Sequence, residues 1–159
     1  LALGARLGAD VPFCLSGGLA HVGGLGEKIT ALPGAPSIPL AMVTPGGGLS
    51  TPAVFREFDD GGDPFGALDA SALAAALCAG DLDRAHSLSL NSLEPAAIRL
   101  MPEIGEAMHR FRELGARFVR MTGSGSTVFA AFETPEQAAH AAAQVEGAIA
   151  TCSLGEGQS

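Results

Sequence analysis

Apolar positions along this chain change their spacing from stretch to stretch, and each change marks an element. Residues 19–32 alternate, with Leu19 and His21 on one arm and Lys28, Thr30 and Leu32 alternating with Ile29 on the other. Gly23, Gly24 and Gly26 lie between the arms and supply a turn, so the stretch predicts a hairpin. Residues 38–44 form a short, nearly unbroken apolar run, the pattern of a buried strand, with Pro39 confining it to an edge or a strand start. Pro45-Gly46-Gly47-Gly48 then breaks the chain. Ser50-Thr51-Pro52 is placed to cap a brief helix over 53–58, and 59–64 reads as a solvated acidic loop.

Beyond residue 70 the spacing lengthens to the helical period. Ser71 predicts a cap for a helix ending near Gly80, with Leu73, Ala76 and Leu77 on one face. Asp81 caps the next, with Leu82, Ala85 and Leu88 inward. Asn91-Ser92-Leu93-Glu94 has capping-box spacing. The helix after it carries the stripe Ile104, Met108, Phe111 and Leu114, which reads as core, and Pro102 must kink or divide it. Gly115 ends it. A strand over 117–121, the connection Gly123-Ser124-Gly125-Ser126 and a strand over 127–132 follow. Thr134-Pro135-Glu136 opens a helix with a cap and Pro at its first position, ending near Gly147, and a weak strand over 149–154 closes the chain. Strand, helices, strand, strand, helix, strand is the order of an α+β, ferredoxin-like βαββαβ unit with extra helices. The hairpin precedes it as part of a neighbouring lobe.

Composition narrows the partners. With 159 residues, 47% of them hydrophobic, the chain can build one compact core. A net charge of −8, with one lysine among nine basic residues, argues against nucleic-acid binding, which needs a basic footprint. No apolar run approaches the 18 or so residues of a membrane span, and no signal-peptide pattern opens the sequence. Cys14, Cys78 and Cys152 match neither a disulfide framework nor a zinc spacing, so reduced thiols in a cytoplasmic protein are expected. The four histidines are scattered and the acidic run at 59–63 lacks a calcium loop's spacing, so no metal site is expected from these residues.

Three stretches can carry chemistry. Asp10 follows a glycine turn and precedes Pro12, which places it at or near a helix N-cap. There backbone N–H groups and the helix dipole favour the ionised form. Such an acid either caps a short helix or accepts a proton from a bound hydroxyl. Gly123-Ser124-Gly125-Ser126-Thr127 is either a plain connection between two strands or a nest of N–H groups for an anion. Gly46-Gly47-Gly48-Leu49-Ser50-Thr51 lacks the Gly-Lys-Ser/Thr ending of a P-loop. Phe55, four residues past Thr51, suits a core position or contact with a planar ligand.

In order, the chain carries L-G-A-D-V-P-F (7–13), G-L-G-E-K-I-T (24–30), P-G-G-G-L-S-T-P-A-V-F (45–55), N-S-L-E-P (91–95) and M-T-G-S-G-S-T-V-F-A-A-F (121–132). This series resembles the C-terminal half of the GHMP small-molecule kinases. Within them it is similar to the branch acting on 4-diphosphocytidyl-2-C-methyl-D-erythritol, to which the 45–55 run is most particular. The resemblance covers nearly the whole chain. It implies an ATP- and Mg²⁺-dependent kinase phosphorylating the 2-hydroxyl of that cytidine diphosphate sugar alcohol in the non-mevalonate isoprenoid pathway. It implies that Asp10 is the catalytic acid residue, accepting the substrate proton. Thr51 would then hydrogen-bond the nucleotide part, Phe55 would lie against the cytosine ring, and Gly123, Ser124 and Gly125 would form a phosphate-proximal loop. It implies that residues 1–36 are the remainder of an N-terminal, ribosomal S5-like lobe and that 37–159 are the C-terminal domain. The glycine-rich ATP loop of that family, of G-G-G-S-S-N-A-A type, and its N-terminal lysine are not among these residues, so the chain alone is expected to be inactive and to bind ATP weakly. Two rivals stand beside this reading: a GHMP kinase for another alcohol such as mevalonate or homoserine, and a non-catalytic, ferredoxin-like ligand-binding remnant.

Overall fold

A computed structural model describes residues 13–14, 18–24, 28–32, 34–63, 66 and 68–155. The helix end expected over 1–8, Asp10 with Pro12, and the Gly26-Glu27 turn lie outside them. The hairpin forms as expected: β1 (Ala20–Gly23) pairs antiparallel with β2 (Lys28–Ala31), Ala20 opposite Ala31 and Gly23 opposite Lys28. It makes a two-stranded sheet of its own.

The rest is the ferredoxin-like unit. β3 (Pro39–Val43) leads through a short 3-10 turn at Pro45–Gly47 to α1 (Thr51–Gly61), α2 (Ala70–Cys78), α3 (Leu82–Leu88), α4 (Glu94–Leu100) and α5 (Glu103–Glu113). β4 (Phe118–Met121), β5 (Val128–Ala131), α6 (Pro135–Ala143) and β6 (Ile149–Cys152) complete it. The strands lie side by side as β4-β5-β3-β6, every pair antiparallel, which is the order two interleaved β-α-β units produce. β3 is a central strand, and Pro39 stands at its first residue, where a missing N–H is tolerated.

Strand alternation gives the sheet two unlike faces. Ala41, Val43, Val119, Met121, Val128 and Ala130 belong to one core with side chains of α1, α4, α5 and α6. The α5 stripe works as its spacing predicts: Ile104, Met108 and Phe111 are buried, the last two with 2% and 0% exposure. The opposite face carries Leu40, Phe118, Phe129 and Ala131, which pack with Ala76, Leu82 and Ala85 of α2 and α3.

Several local expectations are corrected. α1 does not stop at Phe58 but runs through Asp59 and Asp60 to Gly61, where Gly62 adopts φ +65° and ends it. Arg99 of α4 holds that end, Nε 2.6 Å from Glu57 Oε1 and Nη2 2.6 Å from Asp63 Oδ2. Ser50 stands at the N-cap of α1, yet its side chain makes no capping bond. α2 is capped by Asp69 rather than Ser71, because the Asp69 carboxylate accepts the N–H groups of Ser71 (3.1 Å) and Ala72 (3.0 Å). α6 has the expected cap, with Thr134 and Gln137 closing a capping box, but it ends at Ala143 rather than near Gly147. The last strand is likewise shorter than expected, ending at Cys152. Pro102 divides the long helical stretch into α4 and α5 as its missing N–H requires.

Candidate functional site

The register of the sheet brings two glycine-rich segments together. Val43 at the end of β3 lies opposite Val128 at the start of β5, so the chain leaving β3 runs beside the chain entering β5. Three hydroxyl contacts lace the segments: Thr44 Oγ1 to Thr127 Oγ1 at 2.9 Å, Ser126 Oγ donating to Pro45 O at 2.6 Å, and Thr51 Oγ1 to Ser124 Oγ at 2.8 Å. Ser126 is 1% exposed, and its hydroxyl is satisfied by that bond. Two positions here require glycine. Gly46 has φ +60°, and a Cβ on it would meet Met101 Cε at 2.6 Å. Gly125 has φ +94°, and its Cβ would meet Met121 Sδ at 2.8 Å. The Gly125–Ser126 peptide bond is cis.

The sequence-predicted residues therefore separate into two groups. Thr51, Gly123, Ser124 and Gly125 converge, joined by the Thr51–Ser124 contact. Phe55, one turn along α1 from Thr51, is 45% exposed and is not a core side chain; it lines a groove of about 580 Å³. Asp10 lies outside the described residues. No acceptor among the described residues takes the backbone N–H groups of Gly123 and Ser124. The loop thus offers two N–H donors and two hydroxyls at the N-terminus of α1, a chemistry suited to phosphate oxygens. Among the described residues no group of three or more His, Cys, Asp or Glu is placed to hold a metal ion.

The groove beside this loop lies on the half-open face of the sheet. Phe118, Phe129, Leu90 and Leu93 give it apolar walls, and Asn91, Arg120 and Thr122 bring polar groups. Phe118 and Phe129 stack at 5.6 Å, and the His86 ring meets Phe118 edge-on at 5.7 Å. Arg120 is fixed by backbone carbonyls: Nη1 donates to Val119 O at 3.0 Å, and Nη2 to His86 O at 3.0 Å and Ser89 O at 2.9 Å. Burial lowers the Arg120 pKa from its ordinary value, with Glu94 acting in the opposite sense. Burial also lowers the pKa of His86, and the nearby Arg120 and Arg112 charges push the same way.

Asn91 and Glu94 do not form the capping box their spacing predicts. The N-cap of α4 is Leu93, with no side-chain cap bond. Asn91 Nδ2 donates instead to Met121 O (3.0 Å) and Gly123 O (2.8 Å), its Oδ1 accepts the Leu93 N–H (3.1 Å), and Glu94 Oε2 accepts the Met121 N–H (3.0 Å). These residues and Arg120 are what sequence reasoning missed. An arginine inside the apolar run F-V-R-M was a legible signal, since a charge in a strand needs partners.

Comparison with known proteins identifies the family of the fold. Residues 73–150 match the family model described as GHMP kinases C terminal. The chain is 43% identical over 141 residues to the 4-diphosphocytidyl-2-C-methyl-D-erythritol kinase of Granulibacter bethesdensis, covering 88% of this chain and 45% of that protein. It is 41% identical over 140 residues to the enzyme of the same name from Desulfitobacterium hafniense, covering 87% and 48%. It spans about half the length of these curated relatives. A crystal structure of 4-(cytidine 5'-diphospho)-2C-methyl-D-erythritol kinase superposes with a TM-score of 0.79 at 38% identity, covering 97% of this chain and 57% of that one. A homoserine kinase from Cytophaga hutchinsonii, at 19% identity, superposes with a TM-score of 0.65 over 91% of this chain and 50% of its own, which shows the shared fold. With a ferredoxin-like sheet, a matching family model and relatives more than 40% identical over most of its length, the chain belongs to the GHMP kinase family and carries its C-terminal domain.

Proposed function

We propose that this chain is the C-terminal part of an ATP-dependent kinase that phosphorylates the 2-hydroxyl of 4-diphosphocytidyl-2-C-methyl-D-erythritol. The observation that carries the reading is the Thr51–Ser124 contact at 2.8 Å, which joins the segment proposed for the nucleotide end of the substrate to the loop proposed for phosphates. Phe55 is exposed beside that junction and free to lie against a base, and contact of this kind is worth roughly 1–3 kcal/mol per base. The separate β1–β2 sheet supports placing the boundary between an N-terminal lobe and this domain at 36/37.

In this reading the substrate oxygen bonds to the γ-phosphorus as the bond from that phosphorus to the β–γ bridging oxygen breaks. ADP leaves and the hydroxyl proton passes to Asp10. Positioning and electrostatics supply the acceleration. Magnesium ion would neutralise phosphate charge, held largely by the phosphates and water, since such sites need only one or two protein carboxylates. No helix among the described residues is long and apolar enough to cross a membrane.

The test is an ADP-release assay on the full-length protein containing these residues, with the cytidine diphosphate alcohol, mevalonate and homoserine as separate acceptors. Turnover with the first alone is expected, and Asp10→Asn should abolish it. Turnover with mevalonate or homoserine instead would overturn the substrate, and none with any alcohol would favour a ligand-binding remnant.

A further inference from the structure

We propose that Asn91 and Glu94 are positioning residues that set the path of the loop over 122–126; their role is argued on the kinase reading above. Among the described residues β4 is an edge strand, and at its last residue, Met121, the outward N–H and C=O have no neighbouring strand there to pair with. Two side chains take that neighbour's place. Glu94 accepts the Met121 N–H and Asn91 donates to the Met121 carbonyl, a pattern a paired strand would otherwise supply. The second Asn91 donor reaches past the strand to the Gly123 carbonyl, inside the loop.

That last bond has a directional consequence. A loop can present N–H groups to an anion only if its carbonyls are occupied elsewhere, because a free carbonyl oxygen in the same place repels phosphate. Asn91 engages the carbonyls of residues 121 and 123, and the Thr122 carbonyl accepts the Gly125 N–H at 2.9 Å. The N–H groups of Gly123 and Ser124 are left facing no protein acceptor among the described residues. Asn91 is itself held, its Oδ1 on the Leu93 N–H, so both its amide hydrogens are committed in a fixed direction. It also lines the groove that Phe55 lines, beside the loop it orients.

The experiment uses Asn91→Asp, nearly isosteric, which keeps the acceptor to Leu93 but cannot donate to the two carbonyls. Glu94→Ala and Glu94→Gln accompany it, and Asp69→Ala serves as a variant that lowers stability far from the loop. In the full-length protein N91D is expected to lower kcat by roughly 10- to 100-fold, the scale of a misplaced positioning group. KM for ATP and alcohol should stay within about threefold, since an interaction tightened in the transition state is what is lost. E94Q, still able to accept the Met121 N–H, should lose less than E94A. Independently of turnover, hydrogen exchange at the amides of Met121, Thr122 and Gly125 should accelerate in N91D while α1 and α5 keep wild-type protection.

Wild-type exchange at those amides in N91D overturns the proposal, as does a kcat loss that D69A reproduces at equal loss of stability. If the wild-type protein phosphorylates no cytidine diphosphate alcohol, the kinase reading fails, and the exchange measurement still decides whether Asn91 sets the loop.

Discussion

The two faces of the four-stranded sheet solve different problems. One is closed by α1, α4, α5 and α6 over a wholly apolar set of side chains, with Phe111, Ile104, Val54, Val119 and Val128 fully buried. The other is covered by α2 and α3 and keeps a groove where Phe118, Phe129 and Phe55 stand beside Arg120 and Asn91. Burial is the main tie on the closed face, with the Arg99 pairs to Glu57 and Asp63 fastening the end of α1 at its rim. The open face has a smaller apolar cluster, supplemented by directed bonds from a few polar side chains to backbone groups, among them Asn91 to the Gly123 carbonyl in the serine-glycine loop. The candidate ligand groups gather where the two sides meet, with Thr51 and Phe55 at the start of α1 reaching the groove that Phe118, Phe129 and Arg120 line.

The sharpest way to break that contrast is Phe111→Ala. Its ring is fully buried on α5, so the variant should lose about 3–5 kcal/mol, read as a lowered midpoint in urea unfolding. Phe129→Ala, on the half-open face, should lose clearly less; equal losses would mean the two faces are equally closed. Arg120→Ala comes next. Its guanidinium serves three backbone carbonyls, and hydrogen bonds to a charged group are worth about 1.5–3 kcal/mol. Arg120→Lys should recover little of it, because one ammonium cannot reproduce the planar fork. Full recovery by lysine would show that charge alone matters there.

How much of this was legible follows from the same contrast. Burial on the closed face repeats with the helical period, so Ile104, Met108 and Phe111 could be read directly, and Pro102 announces the break between α4 and α5. Phe55 was ambiguous from its distance to the cap, yet the inward pair on α1 is Val54 and Phe58, four apart, which turns Phe55 off that stripe. Asp69 and Ser71 are both capping types two residues apart, and only the tertiary path chooses between them. Asn91 and Glu94 mislead most. Their spacing fits a local capping box, while their actual partners lie 27 to 32 residues further on, where no local pattern can reach. Thr51 and Ser124 are 73 apart, and only the pairing of β3 with β5 brings them together.

Phe55→Ala sharpens the comparison from the ligand side. The side chain is 45% exposed, so unfolding stability should move by no more than about 0.5 kcal/mol. Affinity of the full-length protein for a cytidine diphosphate compound should fall by about 1–3 kcal/mol in calorimetry, the usual worth of a base–aromatic contact. A loss of stability with unchanged affinity would make Phe55 a packing residue after all.

The smallest expected effect concerns pH and tests whether the open face keeps its histidine neutral. Burial, then the positive charges of Arg120 and Arg112, lower the His86 pKa below 6.5, against a weaker pull from Asp83. Between that lowered value and 6.5 the unfolded chain binds more protons at this position than the folded one. Stability therefore rises with pH through this window and is lost as pH falls through it, first as the unfolded imidazole takes up its proton. His86→Phe removes the titrating group while keeping a ring against Phe118, so its stability should be flatter over the same window. The difference between the two pH curves, not either curve alone, is the measurement, because every other titratable group is common to both proteins. Parallel curves would mean that His86 protonates as readily in the folded protein as in the unfolded chain, and that the open face is wetter than its packing against Phe118 suggests.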